Sequence, residues 1–280
     1  MKVKLIQMTQ NPIDVMWTAA RTCYSAESPI EIWEDLDLYY NVVDELSKME
    51  DIELTTDKKE QTEKHWNLVK QVLSSGHDSI AQHIQFTFAI EGISRSCSHQ
   101  LVRHRHAVFS QKSQRYVEIK ESQEELDGLF NLNDYGPKNF ETSKIGELFD
   151  KYFTENEFKN VNGYYHALDE YLYAIKNRER PEDARRFLPN ATKTDVVMSM
   201  NLGELIHVSH LRLCSRSQLE IRQLFQAIKK EVEAQDERLA SLLVPSCEVH
   251  GFCTEHQCCG RKPKLEEVLE GYEKYKGLEK

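Results

Sequence analysis

Residues 84–105 read IQFTFAIEGISRSCSHQLVRHR, and the period changes half-way along. Ile84, Phe86, Phe88 and Ile90 alternate with Gln85, Thr87 and Ala89, the period-two pattern of a half-buried strand. Ser94 then stands where a helix N-cap would, with a side-chain oxygen to accept from first-turn amides. It predicts a helix reaching about Arg105. A second alternation covers 191–200, with Val196, Met198 and Met200 on one face. It runs into Asn201-Leu-Gly-Glu204, a capping box with Asn in place of Ser or Thr, and a long helix is expected from there to about Leu243, with a break. Towards the N-terminus, 2–8 reads as a strand and 11–24 as a helix that tolerates Pro12 in its first turn. Residues 61–75 form a helix stopped by Gly76. The acidic stretch 26–60 shows no clear pattern. Residues 120–145 read as a loop, and 145–177 as two helices broken near 160–163. Strands and helices without a βαβα rhythm make the chain α+β.

The chain has 280 residues and a formal net charge of −10. That length holds an adequate core without staples. The start, MKVKLIQMTQ, lacks an apolar signal-peptide region, and no apolar run reaches the roughly 18 residues of a membrane span, so a cytoplasmic protein is expected. Overall acidity argues against a general nucleic-acid binder. The seven cysteines, an odd number, read as reduced thiols and not as a disulfide framework.

Against that acidic background, Gly92–Val117 contains no Asp or Glu but holds Arg95, Arg103, Arg105, Lys112 and Arg115 with His99, His104 and His106. Arginine offers a planar fork of donors that matches phosphate oxygens. A solvated basic face is the plain alternative. Leu101, Val102, Val108 and Phe109 flank the charges and suggest partial burial, which would demand a partner for each buried guanidinium. On a helix, neighbours diverge by roughly 100°, so Arg103, His104 and Arg105 cannot all face one small ligand.

The run RHRHAVFSQKSQRY, Arg103 to Tyr116, fits RHR-x7-S with the extension Ser-Gln-x-Ser-x-Arg-Tyr. In this it resembles the flavin-dependent thymidylate synthases. The resemblance extends through GHDSIAQHIQFTFAIEGISRSCSHQLV, AARTCYS, ARRFLPNAT and NLGELIHVSHLRLCSRSQLEIR, in the family's order, and carries little weight in 120–177 and the last 35 residues. It implies a single α+β domain over 1–280, a mixed or antiparallel sheet packed by long helices, with a helical segment at 145–177 and a Cys-rich tail from 245.

The resemblance also implies a chemistry. A transferase of this family, a methyltransferase and flavoprotein of dTMP biosynthesis, converts dUMP to dTMP. The methylene carbon comes from 5,10-methylenetetrahydrofolate and the hydride from FAD reduced by NADPH. Arg103, His104 and Arg105 would hold FAD, joined by His77, Ser79, Gln111, Asn201 and His207. Gln100, Arg103, Gln111, Ser113, Gln114, Arg115, Arg185 and Arg212 would hold dUMP. Many relatives carry Glu at the position of Gln111, several have Glu at that of Gln82, and His207 and Gly203 also depart from the usual residues. Arg212 would be catalytic, its fixed guanidinium stabilising negative charge on the pyrimidine as C5 becomes nucleophilic. Asn201 equally suits a simple N-cap. No enzyme thiolate is required, so Cys97 and Cys214 are dispensable to the chemistry, and Ser113 is a ligand, not a nucleophile. Cys23, at a position near FAD, reads as a buried small hydrophobe. No GxGxxG follows a strand, so the flavin assignment rests on the resemblance and the basic cluster. A homotetramer with shared active sites is implied, and no nucleic-acid or membrane partner.

The tail CEVHGFCTEHQCCG, 247–260, has Cys-x5-Cys and Cys-x4-Cys spacings. These are not the paired Cys-x2-Cys of common structural zinc sites, so no metal is assigned and reduced thiols in a terminal hairpin are expected. Two rival functions remain: a nucleic-acid module using 95–116 with Phe109 and Tyr116 for stacking, and a zinc-stabilised interaction protein built on the tail.

Overall fold

The computed structural model describes residues 1–50, 55–119 and 161–278. Strands β1 (Lys2–Met8), β2 (Gln85–Ser94), β3 (Ala107–Gln111) and β4 (Lys193–Asn201) form one sheet in the order β1-β2-β4-β3. The named helices are α1 (Pro12–Thr22), α2 (Pro29–Glu50), α3 (Thr55–Ser74), α4 (Arg95–Leu101), α5 (Val161–Lys176), α6 (Leu202–Arg212), α7 (Leu219–Glu233) and α8 (Leu265–Leu278). Neighbouring strands run antiparallel. Thr9 N–H bonds the Gln85 carbonyl at 3.0 Å while Thr87 reaches back to Gln7 at 3.2 Å. Likewise Thr87 meets Ser199 at 2.9 Å and Gly92 meets Asp195 at 3.0 Å. The α+β reading therefore holds. The strand β3 was not expected. It lies at a sheet edge and buries none of its five residues, Val108 being 70% exposed, so it lacks the apolar alternation that reveals a half-buried strand.

The chain divides into two compact units. One comprises Met1–Val3, Ala89–Arg105 and Phe109–Met198. There Ser94 caps α4 as expected, its hydroxyl accepting from Cys97 N–H at 3.0 Å. The helix ends at Leu101, short of the predicted Arg105. Arg103 and His104 N–H groups bond only three residues back, to Gln100 and Leu101, the tightening seen at helix ends. Arg103-His104-Arg105 thus lies on a turn and not on a helix. Further along, α5 packs Leu168, Tyr171 and Ala174 against Ala184 and Ala191. The loop expected at 120–145 and the first half of the 145–177 segment lie outside the described residues.

The other unit comprises Lys4–Phe88, His106–Val108 and Ser199–Lys280. Here α1 packs on α2 and α3 around a buried polar group. His65 Nδ1 lies 2.7 Å from Asp14 Oδ1, and Tyr40 donates to the same carboxylate at 3.2 Å. Trp17 stacks on the His65 ring, 4.1 Å between centroids. Helix α2 occupies the stretch that showed no pattern. Its buried Ile32, Leu36 and Val43 are interleaved with exposed Ile30, Leu38 and Val42, which blurs the amphipathic period. Gly76 closes α3 at φ 82°, in the left-handed region that favours glycine. Asn201 caps α6, accepting from Glu204 N–H at 2.8 Å. The predicted long helix breaks after Arg212, restarts at Leu219 under a Gln218 cap, and reaches Ser241 through a separate turn. Among the described residues no helix is long and apolar enough to cross a membrane.

Candidate functional site

Two backbone bonds bring the basic stretch beside the ARRFLPNAT segment. Arg95 N–H donates to Thr192 O at 3.0 Å and Ser96 N–H to Asn190 O at 2.9 Å. Arg95 therefore sits near Arg185. Burial, and then the like charge of Arg185, hold the Arg95 guanidinium below its ordinary value. One Nη of Arg95 donates to Lys112 O at 2.9 Å, while its Nε is buried with no partner. Two close guanidiniums with an unsatisfied buried N–H make a site that an anion would stabilise.

The loop after β3 is built on this base. Gln111 Nε2 donates to Ser98 Oγ at 2.9 Å and to Thr194 Oγ1 at 3.2 Å, both hydroxyls being buried. Ser113 Oγ accepts from Arg115 N–H at 3.1 Å, and Val117 N–H returns to Ser113 O at 3.0 Å, which folds Ser113–Val117 into a tight turn. The acid-free stretch borrows carboxylates from elsewhere: Lys112 pairs with Asp195 at 3.3 Å and Arg115 with Glu182 at 2.6 Å. Gln100 and Gln114 are half-buried and His104 is buried. Arg103 and Arg105 are exposed and have no ion-pair partner among the described residues. The expectation that burial forces a partner on each arginine therefore fails for these two, because Val102 and Val108 beside them face outward.

In the other unit, His77 and Ser79 are exposed around the turn Asp78–His83, which packs on α6. That helix carries Asn201 at its cap, exposed His207, and half-buried Arg212 in its last turn. Burial, then His207 and His250, push the neighbouring His210 imidazole below its ordinary value. Cys23 is a correction. It is exposed, not buried, with its thiol 3.6 Å from Ala19 O, because it follows the last turn of α1 instead of facing the core. Sequence reasoning passed over Arg95, Ser98 and Thr194. Arg95 was visible as a member of the acid-free stretch. The two hydroxyls carried no signal, since small buried polar residues look like core filler until a partner appears.

Residues 4–236 match the family model described as thymidylate synthase complementing protein. The flavin-dependent thymidylate synthase of Clostridium tetani (strain Massachusetts / E88) is 34% identical over 272 residues, covering 95% of this chain and 96% of the relative. The chain belongs to the flavin-dependent thymidylate synthase family. A second member, from Pyrococcus furiosus, is 33% identical over 258 residues, 91% of this chain and 89% of its own. A crystal structure of the Helicobacter pylori flavin-dependent thymidylate synthase, complexed with FAD and dUMP, superposes with a TM-score of 0.61. It covers 87% of this chain and 100% of its own at 21% identity, a likeness of fold. Family membership gives Arg103–Ser113 its context: the motif runs from the turn after α4 through β3, and its Lys112 carbonyl accepts from Arg95.

Proposed function

We propose that this chain catalyses the reductive methylation of dUMP to dTMP, with 5,10-methylenetetrahydrofolate as carbon donor, FAD as cofactor and NADPH as reductant. The observation that carries the reading is the complete RHR-x7-S run on a chain of this family. The residues present fit phosphate-bearing ligands. The unpartnered Nε of Arg95 beside Arg185 suits a nucleotide monophosphate, and the exposed guanidiniums of Arg103 and Arg105 suit a pyrophosphate. When bound and reduced, the flavin supplies the hydride that completes the methyl group.

The chain's own residues bind, orient and polarise. Arg103, His104 and Arg105 hold the cofactor, and the family resemblance gives His77, Ser79, Asn201 and His207 the same role. Gln100, Arg103, Ser113, Gln114, Arg115 and Arg185 hold dUMP, and Arg95 joins them at the phosphate. Gln111, clamped by Ser98 and Thr194, presents a fixed amide edge to both ligands. Arg212 donates to the uracil carbonyls and stabilises the negative charge that makes C5 nucleophilic. Arg115 remains able to bind while paired, because Glu182 engages its Nε and the Nη groups keep further donors. The enzyme is cytoplasmic and a homotetramer that shares its sites between subunits, an arrangement that gives the outward-facing Arg103 and Arg105 a second set of partners.

The test is the visible spectrum of purified protein before and after FAD and then dUMP, followed by dTMP formation with the full set of substrates. A flavin band that shifts on adding dUMP, with dTMP produced, is the expected result. Failure to take up FAD, or no dTMP with FAD bound, overturns the reading.

A further inference from the structure

The turn Pro181–Ala184 carries one acid unlike its neighbours. Pro181 opens the turn, and the Asp183 and Ala184 N–H groups return to Arg180 O at 2.9 and 3.0 Å. Ala184 is fully buried and packs with Leu168, Tyr171 and Ala174 of α5, which fixes the turn to the core of its unit. Two residues before it, the Glu182 side chain is 22% exposed, against 40% for Glu179 and 50% for Asp183. Its carboxylate meets two guanidiniums. Oε2 lies 2.6 Å from Arg115 Nε, and Oε1 lies 2.9 Å from Arg180 Nη1. Its main-chain carbonyl accepts from Arg185 Nε at 3.1 Å.

In both Arg115 and Arg185 the anchored atom is Nε. A guanidinium is a rigid planar fork. Holding it by Nε leaves its Nη groups to a ligand, the end-on arrangement that matches two oxygens of one phosphate. Both arginines are exposed, and a long exposed side chain loses rotamer freedom when a ligand orders it. A side chain already tethered has lost part of that freedom beforehand. A solvated surface pair is the plain alternative. Against it stand the low exposure of the Glu182 carboxylate and the meeting, on this one residue, of two arginines far apart in sequence.

We propose that Glu182 is a positioning residue of the nucleotide site, its carboxylate and main-chain carbonyl setting Arg115 and Arg185 to receive a nucleotide monophosphate end-on. This rests on the reading that those two arginines hold dUMP. Glu182 acts through them on affinity and takes no part in the chemical step.

Calorimetric binding of dUMP to the FAD-loaded protein tests this, with kcat measured beside it, in wild type, Arg115→Met, Glu182→Gln and the double variant. Glu182→Gln keeps the shape and the main-chain carbonyl and removes the charge. It should weaken dUMP binding by about 10-fold, the scale of ordering one long side chain on binding, with kcat at saturating dUMP and FAD affinity unchanged. In the Arg115→Met background the same change should move affinity by less than about 2-fold, since the residue it acts through is gone. If Glu182→Gln does not fold, Glu182→Asp replaces it in the cycle, drawing the carboxylate back by one methylene, with the same loss expected. Binding by the Glu182 variant equal to wild type, or tighter, overturns the proposal, as does an equal loss in the Arg115→Met background. Weakened binding in Arg115→Met beside unchanged binding in Glu182→Gln leaves the nucleotide site standing and removes the positioning role alone. Wild-type affinity in Arg115→Met, or no dUMP binding by wild type, removes the reading of the site and the proposal with it.

Discussion

Gln111 donates its side-chain amide to Ser98 Oγ at 2.9 Å, and Ser98 in turn donates to Arg95 O at 3.0 Å. The direction of this chain is set at its far end, since a carbonyl only accepts. The single hydroxyl hydrogen of Ser98 is committed, so Ser98 offers residue 111 lone pairs alone. This gives a physical reason for an amide here.

Gln111→Glu places a carboxylate against those lone pairs. It should destabilise the protein by about 1–2 kcal/mol, as should Gln111→Leu, which takes a donor from the Ser98 and Thr194 hydroxyl oxygens. Urea unfolding measures both. Midpoints equal to wild type would mean that the network contributes nothing.

Arg212→Ala should lower kcat for dTMP formation by about 100-fold or more, the scale of losing a fixed donor to developing charge, while FAD stays bound. Wild-type turnover in that variant would remove Arg212 from the chemistry.

Arg95→Met should raise the KM for dUMP by about 10-fold, the effect of one lost charge-assisted bond to phosphate, and leave kcat and FAD binding in place. The opposite result, a lower KM, would show that its repulsion of Arg185 outweighs any contact with the nucleotide.

His104→Ala should weaken FAD retention by about 10-fold. His104 is only 8% exposed, so equilibrium dialysis of FAD has to be read beside thermal unfolding. Unchanged FAD affinity in a folded variant would take His104 out of the cofactor site.

Tyr40 is pushed up to about 12, by burial first, against a hydrogen bond with Thr62, with the Asp14 carboxylate adding to the rise. Its folded value lies above its unfolded one, so its contribution to stability is complete below about pH 10. That contribution is lost as pH climbs from there through about 12, where only the unfolded chain has given up the proton. Stability measured across that window should fall less steeply in Tyr40→Phe than in wild type. Parallel curves would contradict the shift.

The sequence by itself determined what depends on a few neighbouring residues. The alternations at Ile84–Ile90 and Val196–Met200 became β2 and β4, and Ser94, Asn201 and Gly76 became caps and a stop. Periodicity, caps and positive φ are set within a turn or two of chain, and the order of motifs along the chain was enough to place it in its family. Only the tertiary structure decided what depends on distant segments meeting. Asp195 and Glu182 neutralise Lys112 and Arg115, and the charge of Arg185 acts on Arg95. Ser98 and Thr194 take hold of Gln111, and Cys214 faces the tail thiols. Charge and hydrogen-bond complementarity act through space, so the partner of each such group is settled only when the chain has folded back on itself.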